Sequence, residues 1–424
     1  MSNQDVIVVG GGIGGLSAAL ALARQGLPVR VLERAREFGE VGAGIQIAPN
    51  CTRLLSEYGL LDEAVALGVL PDSIVMRDML DGSELTRLDL ADLRRRYGFP
   101  YMVIHRSDLH GIFLRGCERD GVELLTSQHV TSYENTGTGA RIVLADGGSQ
   151  DAALVIAADG LHSVAREQLI GDATVNSAYV AYRAALPIEQ VLGNGIARTD
   201  VVVYIGPRCH FVQYPLRGGE MFNQVAVFES SRLRAGDTGG GGPEELDAAF
   251  EHVCANVREG IGLMWRDRWW GMSDRDPVRQ WVYGRVALLG DAAHPPLQYI
   301  AQGAIMAIED GWVLAQHARR LYRPGRGPDW DAVLAAYQAV RAEHCRRVVL
   351  TSRVWGQLWH LDGQRREQRN ILLRAREVRD YGFTDWLYGP TALTPDAEPA
   401  PYRPIPLDSV TATGGAVTSP PATT

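Results

Sequence analysis

The chain has 424 residues, a net charge of −8 and 46% hydrophobic residues. That length exceeds a usual single domain and predicts two or three units with a large core. The acidic balance argues against broad binding to nucleic acid or anionic membrane, and no apolar run of about 18 residues predicts a membrane span.

Residues 5–9 (Asp-Val-Ile-Val-Val) run into Gly10-Gly11-Gly12-Ile13-Gly14-Gly15 and then into an Ala/Leu-rich stretch ending near Gly26. This predicts strand, glycine turn and helix. A second apolar run, residues 29–32, ends on Glu33. Gly10, Gly12 and Gly15 fit G-x-G-x-x-G, with the acid at the distance a dinucleotide site requires. Gly10 makes the tight turn, Gly12 admits a pyrophosphate to the backbone, and Gly15 lets helix pack on sheet. The helix N-terminus attracts the phosphate charge. Glu33 can accept hydrogen bonds from ribose hydroxyls.

The glycine-punctuated segment 39–50 leads into a helix over residues 50–58, with Pro49 suited to its start. A short strand is expected at 85–90, and a helix from Arg106 with Ser107 as its N-cap. Residues 122–125, 140–144 and 153–158 read as strands, the last stopping at Asp159-Gly160. Taken alone, Asp159 reads as a turn acid. Residues 178–229 predict an antiparallel sheet built from strands at 201–205, 209–216 and 222–229. A loop at 236–243 and one helix over 243–261 follow. A buried strand at 285–289 ends on Gly290-Asp291, and helices are expected at 302–318 and 329–358. In the first of these, Ile305, Ile308, Trp312 and Ala315 predict a core-facing stripe.

These elements divide the chain into a discontinuous nucleotide-binding part (1–175 and 276–330), an inserted β-sheet part (176–275), a helical region (331–394) and a mobile Pro/Thr/Ala/Gly-rich tail (395–424). Residues 72–100 fit either of the first two. Five widely spaced cysteines without C-x-x-C predict reduced thiols in a cytoplasmic protein. His105 and His110 have no partner cluster, so no metal site is expected. The start has no basic leader, and glycines break its apolar stretch, unlike a secretory signal.

The glycine fingerprint, the strand-end Asp159-Gly160 and the strand-end Gly290-Asp291, in this order and spacing, resemble the class A flavoprotein monooxygenases, the FAD-dependent aromatic hydroxylases. The resemblance spans residues 4–390. It implies an α/β, p-hydroxybenzoate hydroxylase-like fold: a Rossmann-like FAD-binding domain with an inserted antiparallel β-sheet substrate domain and C-terminal helices. It also implies FAD reduced by a nicotinamide, with NADH favoured, a C4a-hydroperoxide formed with O2, and hydroxylation of an activated ring. By motif match, Gly10, Gly12 and Gly15 would face the FAD pyrophosphate. Glu33, with Arg34 beside it, would hold the adenosine ribose. Arg106 would reach the FAD phosphates, and Val130 would give a backbone contact to adenine. Gln46 would lie near the flavin, and Asp159 and Gly160 would serve FAD and the nicotinamide. Asp291 would contact ribityl and pyrophosphate, with Gly303 and Ala304 beneath the ring.

Such enzymes usually activate a phenol, because phenolate is the better carbon nucleophile. The expected strand at 209–216 places His210, Val212 and Tyr214 on one face. Histidine suits a general base, and Tyr214 could hydrogen-bond a carboxylate or position the ring. Out of context, His210 is equally a satisfied sheet histidine and Tyr214 a packing residue. Gln298 departs from the apolar residue common in the family and could bond a phenolate oxygen. Ala301 replaces a commoner glycine. No arginine stands out for the substrate carboxylate.

The stretch from Cys209 to Glu220, with residues 295–299 and Trp386-Leu387-Tyr388-Gly389, resembles the salicylate-hydroxylase-like subgroup. It implies hydroxylation of 3-hydroxybenzoate para to its hydroxyl, giving gentisate, and a homodimer. The alternatives are salicylate 1-hydroxylation or another phenolic-acid hydroxylation, a flavin oxidase or reductase, and a non-catalytic flavoprotein.

Overall fold

The computed structural model describes residues 5–39, 42–191, 198–389, 393 and 402–403. Apart from Tyr402 and Arg403, the predicted tail lies outside these residues. A six-stranded sheet has the order Val282–Tyr283, Val286–Leu288, Leu154–Ala157, Val6–Val9, Val29–Leu32, Glu123–Leu125. Four of its five pairings run parallel, and the Val282–Tyr283 edge strand pairs antiparallel. Val6–Val9, Leu154–Ala157 and Val286–Leu288 are buried throughout. Layers on both faces demand such unbroken apolar runs.

The helix Ile13–Ala23 packs against Gly303–Arg320 with very small residues between them. A Cβ on Gly311 would lie 2.7 Å from Ala18 Cα, and one on Gly14 would lie 2.9 Å from Ala307 Cβ. Ile305, Ile308 and Ala315 are buried, while Trp312 is half-buried edge-on to Tyr58.

A second sheet of seven strands has the order Trp270–Asp274, Val175–Pro187, Met221–Glu229, Cys209–Leu216, Asp200–Gly206, Ser73–Asp78, Glu84–Asp89. The strands expected at 201–205, 209–216 and 222–229 pair antiparallel, and Ser73–Asp78 joins them by pairing parallel with Asp200–Gly206. One face of the sheet buries Cys209, Phe211, Tyr182 and Phe228 against Leu246, Phe250, Val257 and Ile261. Each large apolar side chain buried there contributes about 1.5–3 kcal/mol. The other face turns toward the first sheet.

Two local expectations are corrected. The helix predicted over 243–261 is two helices, Pro243–Ala249 and Ala255–Gly262. Cys254 between them is extended and donates its N–H to Met79 O at 2.9 Å, so a tertiary bond replaces a helical one. The N-cap of Arg106–Arg119 is His105, whose Nδ1 accepts from the Ser107 N–H; Ser107 itself lies inside the helix.

A buried polar network joins the helices beneath the sheets. Asp310 Oδ2 accepts from the Gly290 N–H at 3.1 Å and meets His294 Nε2 at 2.5 Å. Its Oδ1 accepts from Arg341 Nε at 2.8 Å. Arg341 also donates to Glu309, and Glu309 accepts from Asn50 Nδ2. Asn50 donates in turn to Gln302 Oε1 at 3.1 Å. The polar atoms of His294, Asp310 and Cys345 lie within 4.8 Å of one another. The Arg341 cation already neutralises that carboxylate and would repel an added dication. Among the described residues no helix is long and apolar enough to cross a membrane.

Two stability predictions follow from this packing. A Cβ at Gly15 would lie 2.0 Å from Gly10 O. Gly15→Ala should therefore cost about 1–3 kcal/mol, read as a lower thermal midpoint; an unchanged midpoint contradicts the close approach. Asp310→Asn leaves buried cations without their partner and should cost about 3–5 kcal/mol in denaturant unfolding. Burial opposes charge on His294, but Asp310 and Cys345 together outweigh it and raise the imidazole pKa well above its ordinary value. That share of the stability is complete below about pH 6.5 and is lost as pH rises through the raised folded value. The gap between wild type and variant should therefore narrow in alkali; a gap that widens contradicts the assignment.

Candidate functional site

One cavity of about 1080 Å³ runs between the two sheets and on beneath the C-terminal helices. Gly12, Gln46, Arg106, Gly160, His210, Tyr214, Asp291, Gln298, Gly303 and Ala304 all line it. Gly10, Gly15, Glu33, Arg34, Val130 and Asp159 do not.

The residues outside the lining shape the cavity from behind. Gly10 has φ +106°, and a Cβ there would lie 2.3 Å from Ala158 O. Glu33 accepts from the N–H groups of Gly11 at 2.7 Å and Ala35 at 2.8 Å, which fixes the glycine turn. Arg34 is exposed, and Val130 is buried at the start of its strand. Asp159 Oδ2 accepts from Tyr133 OH and from the N–H groups of Val164 and Ala165. Its Oδ1 is buried with no partner.

Two helix N-termini face the cavity. Gly12, the N-cap of Ile13–Ala23, offers no side-chain cap. Neither does Gln302, the N-cap of Gly303–Arg320. Their first-turn N–H groups remain available to an anion or a polar ring edge. Gln302 lines the cavity, and its Nε2 is buried without a partner. An elongated group with a phosphate end and a polar ring end fits this donor set, as FAD does. Ala301 has φ +52°, the left-handed region that favours glycine. That is the physical reason a glycine would be commoner there.

The opposite wall carries the titratable groups. The strand Cys209–Leu216 alternates, so His210, Val212 and Tyr214 face the cavity while Cys209 and Phe211 enter the outer core. Gln46 and Tyr101 both line the cavity, and Gln46 Oε1 accepts from Tyr101 OH at 2.7 Å. Tyr214 lies over Gly44, where any Cβ would meet its ring at 2.4 Å.

Sequence reasoning missed two site residues. His210 Nδ1 meets His360 Nε2 at 2.8 Å, and the rings stack with centroids 5.1 Å apart. Burial pushes the His210 pKa down to about 3. Burial, then His210 and Arg369, hold His360 well below its ordinary value. The pair is thus neutral, sharing one hydrogen. The second is Arg183, on Val175–Pro187, whose guanidinium lines the cavity. Its contacts are a long 3.4 Å bond to Gln298 Oε1 and the Trp270 ring at 5.8 Å. Burial lowers its pKa, and among the described residues no carboxylate pairs with it.

The chain matches the family described as "FAD binding domain" over residues 3–352. It is 40% identical to a 3-hydroxybenzoate 6-hydroxylase of Polaromonas naphthalenivorans (strain CJ2), over 92% of this chain and 96% of that protein. It is 37% identical to a 3-amino-4-hydroxybenzoate 2-monooxygenase of Streptomyces cremeus, over 95% of this chain and all (100%) of that one. Among solved structures, Klebsiella pneumoniae HpxO complexed with FAD and uric acid superposes with a TM-score of 0.78 at 28% identity, covering 91% of this chain and 97% of that chain. With that fold, that cavity and these relatives, the chain belongs to the FAD-binding-domain family of flavoprotein aromatic hydroxylases.

Proposed function

We propose that this protein hydroxylates 3-hydroxybenzoate para to its hydroxyl, forming gentisate with consumption of NADH and O2. In balance, 3-hydroxybenzoate, NADH, a proton and O2 give 2,5-dihydroxybenzoate, NAD+ and water. The observation that carries the reading is one cavity wall holding a neutral histidine, an amide and an arginine with no carboxylate partner. Both hydroxybenzoate relatives carry, in their names, a ring with a hydroxyl and a carboxylate.

When bound, FAD supplies an electrophilic oxygen to the ring. Gly12, Arg106, Asp291, Gly303 and Ala304 would hold it, by their place in the lining. Arg183 binds the substrate carboxylate, which restores the counter-charge its buried guanidinium lacks. No arginine stands out for this role by spacing; Arg183 does so by its place in the cavity wall. His210 Nδ1 is engaged by His360, which leaves Nε2 to take the phenolic proton. Gln298 hydrogen-bonds the same oxygen, and Tyr214 packs against the ring. Carbon 6 is para to the hydroxyl, one of the positions where phenolate electron density accumulates, so deprotonation activates it and the pose of the ring selects it over the ortho carbons.

The function is tested by incubating FAD-loaded protein with 3-hydroxybenzoate, NADH and O2. Gentisate equal to the NADH consumed is the expected result. Catechol from salicylate, or a product only from 3-amino-4-hydroxybenzoate, would move the assignment to those acids. No stimulated NADH oxidation by any hydroxybenzoate contradicts it. Arg183→Gln should raise KM for the acid by roughly 10–100-fold, as loss of a charge-assisted bond implies, with flavin content unchanged. An unaltered preference for 3-hydroxybenzoate over its neutral amide contradicts the arginine's role. His210→Gln should lower coupled hydroxylation by about 100-fold or more while FAD stays bound; wild-type coupling in this variant rules out His210 as the base.

A further inference from the structure

His360 is the C-cap of the 30-residue helix Trp330–Trp359 and lies 150 residues from His210 in sequence. Its ring is gripped on several sides. Tyr179 stacks on it with centroids 4.4 Å apart, and Tyr299 meets it edge-on at 5.5 Å. Trp359 stands edge-on to His210 at 5.1 Å. The Arg369 cation from Gly363–Ala375 also opposes charge on it. Beside it lies the surface: Arg208 donates its N–H to the His360 backbone carbonyl at 3.1 Å, Arg208 and Asp362 are exposed, and His360 itself keeps 7% of its surface accessible. His360 therefore bridges the cavity-lining His210 and the outer rim of the sheet.

We propose that His360 is the proton outlet of the site: the proton taken from the substrate hydroxyl by His210 passes along the Nδ1–Nε2 hydrogen bond to His360 and on to solvent. The proposal rests on the aromatic hydroxylase reading above. The step balances. The phenolic O–H bond breaks and its proton joins His210 Nε2. The His210 Nδ1 proton moves to His360 Nε2, and the His360 Nδ1 proton leaves to water. Both imidazoles end neutral, each with its hydrogen shifted to the other nitrogen. The reverse passage returns a proton to the product oxygen. Burial makes a lasting imidazolium unfavourable at either ring, so a proton accepted at one side must leave at the other. A lone buried histidine of such low basicity would be a poor base; a paired one need never hold the charge. His360 is outside the cavity lining and carries the proton only through His210.

The test mixes oxidised holoenzyme with 3-hydroxybenzoate in weakly buffered solution carrying a pH indicator, in a stopped-flow instrument. Flavin absorbance reads binding, the indicator reads proton release, and the near-ultraviolet band reads phenolate. His360→Phe keeps the ring stacking, and His360→Gln keeps a polar partner for His210. Both variants should bind the acid within about threefold of wild type, release its proton at least tenfold more slowly, and lose the wild-type solvent isotope effect on that phase. Release at the wild-type rate in both overturns the relay. Full recovery in His360→Gln alone also overturns it, since His360 would then only orient His210. A wild type that hydroxylates the acid with no binding-linked release overturns relay and base together. A wild type that hydroxylates no phenolic acid overturns the underlying reading instead.

Discussion

Asp310 has no exposed surface, yet it carries a charge shared among the Gly290 amide, His294 and Arg341. Each partner belongs to a different part of the site. Gly290 begins the turn that presents Asp291 to the cavity. His294 opens the Pro295–Gln302 segment that carries Gln298. Arg341 anchors the long helix that ends at His360. The same network reaches Asn50 and Gln302, at the start of the helix whose bare N-terminus faces the cavity. A buried pair of this kind adds little net stability over a packed apolar core, but removing one partner is costly. Its effect here is registration: one carboxylate sets the relative positions of the cofactor wall and the substrate wall.

The two walls differ in electrostatics for a physical reason. The cofactor wall is built from uncapped helix termini and glycine turns, which offer N–H groups to phosphate and to a ring edge. The substrate wall is a sheet face with neutral histidines and the half-buried Arg183 cation. A phenol entering that wall meets hydrogen-bond acceptors, and a carboxylate meets the Arg183 guanidinium. This division explains why the cavity lies between the sheets instead of within either.

Much of this arrangement is readable in the sequence where the signal is local. The doubly covered strands at Val6–Val9 and Leu154–Ala157 announce themselves as unbroken apolar runs. Alternation at Cys209–Leu216 is enough to put His210, Val212 and Tyr214 on the cavity side. What is not local is not readable. The break before Cys254 is imposed by Met79, far away in sequence. His105 caps a helix although histidine is no standard cap, because its ring happens to reach the Ser107 amide. His360 has no spacing relation to His210. Arg183 is hidden by abundance: all 42 basic residues are arginines, so residue type alone singles none out. Only its burial without a counter-ion does so.

The central claim is that one aromatic acid is held by its two ends, carboxylate on Arg183 and hydroxyl on His210. The most direct measurement is a crystal structure of the FAD-loaded protein with 3-hydroxybenzoate bound. The account predicts the carboxylate within hydrogen-bond distance of the Arg183 guanidinium, the hydroxyl oxygen at His210 Nε2 and Gln298, and carbon 6 directed at the flavin. A ring bound with its carboxylate away from Arg183 and its hydroxyl away from His210 would contradict it.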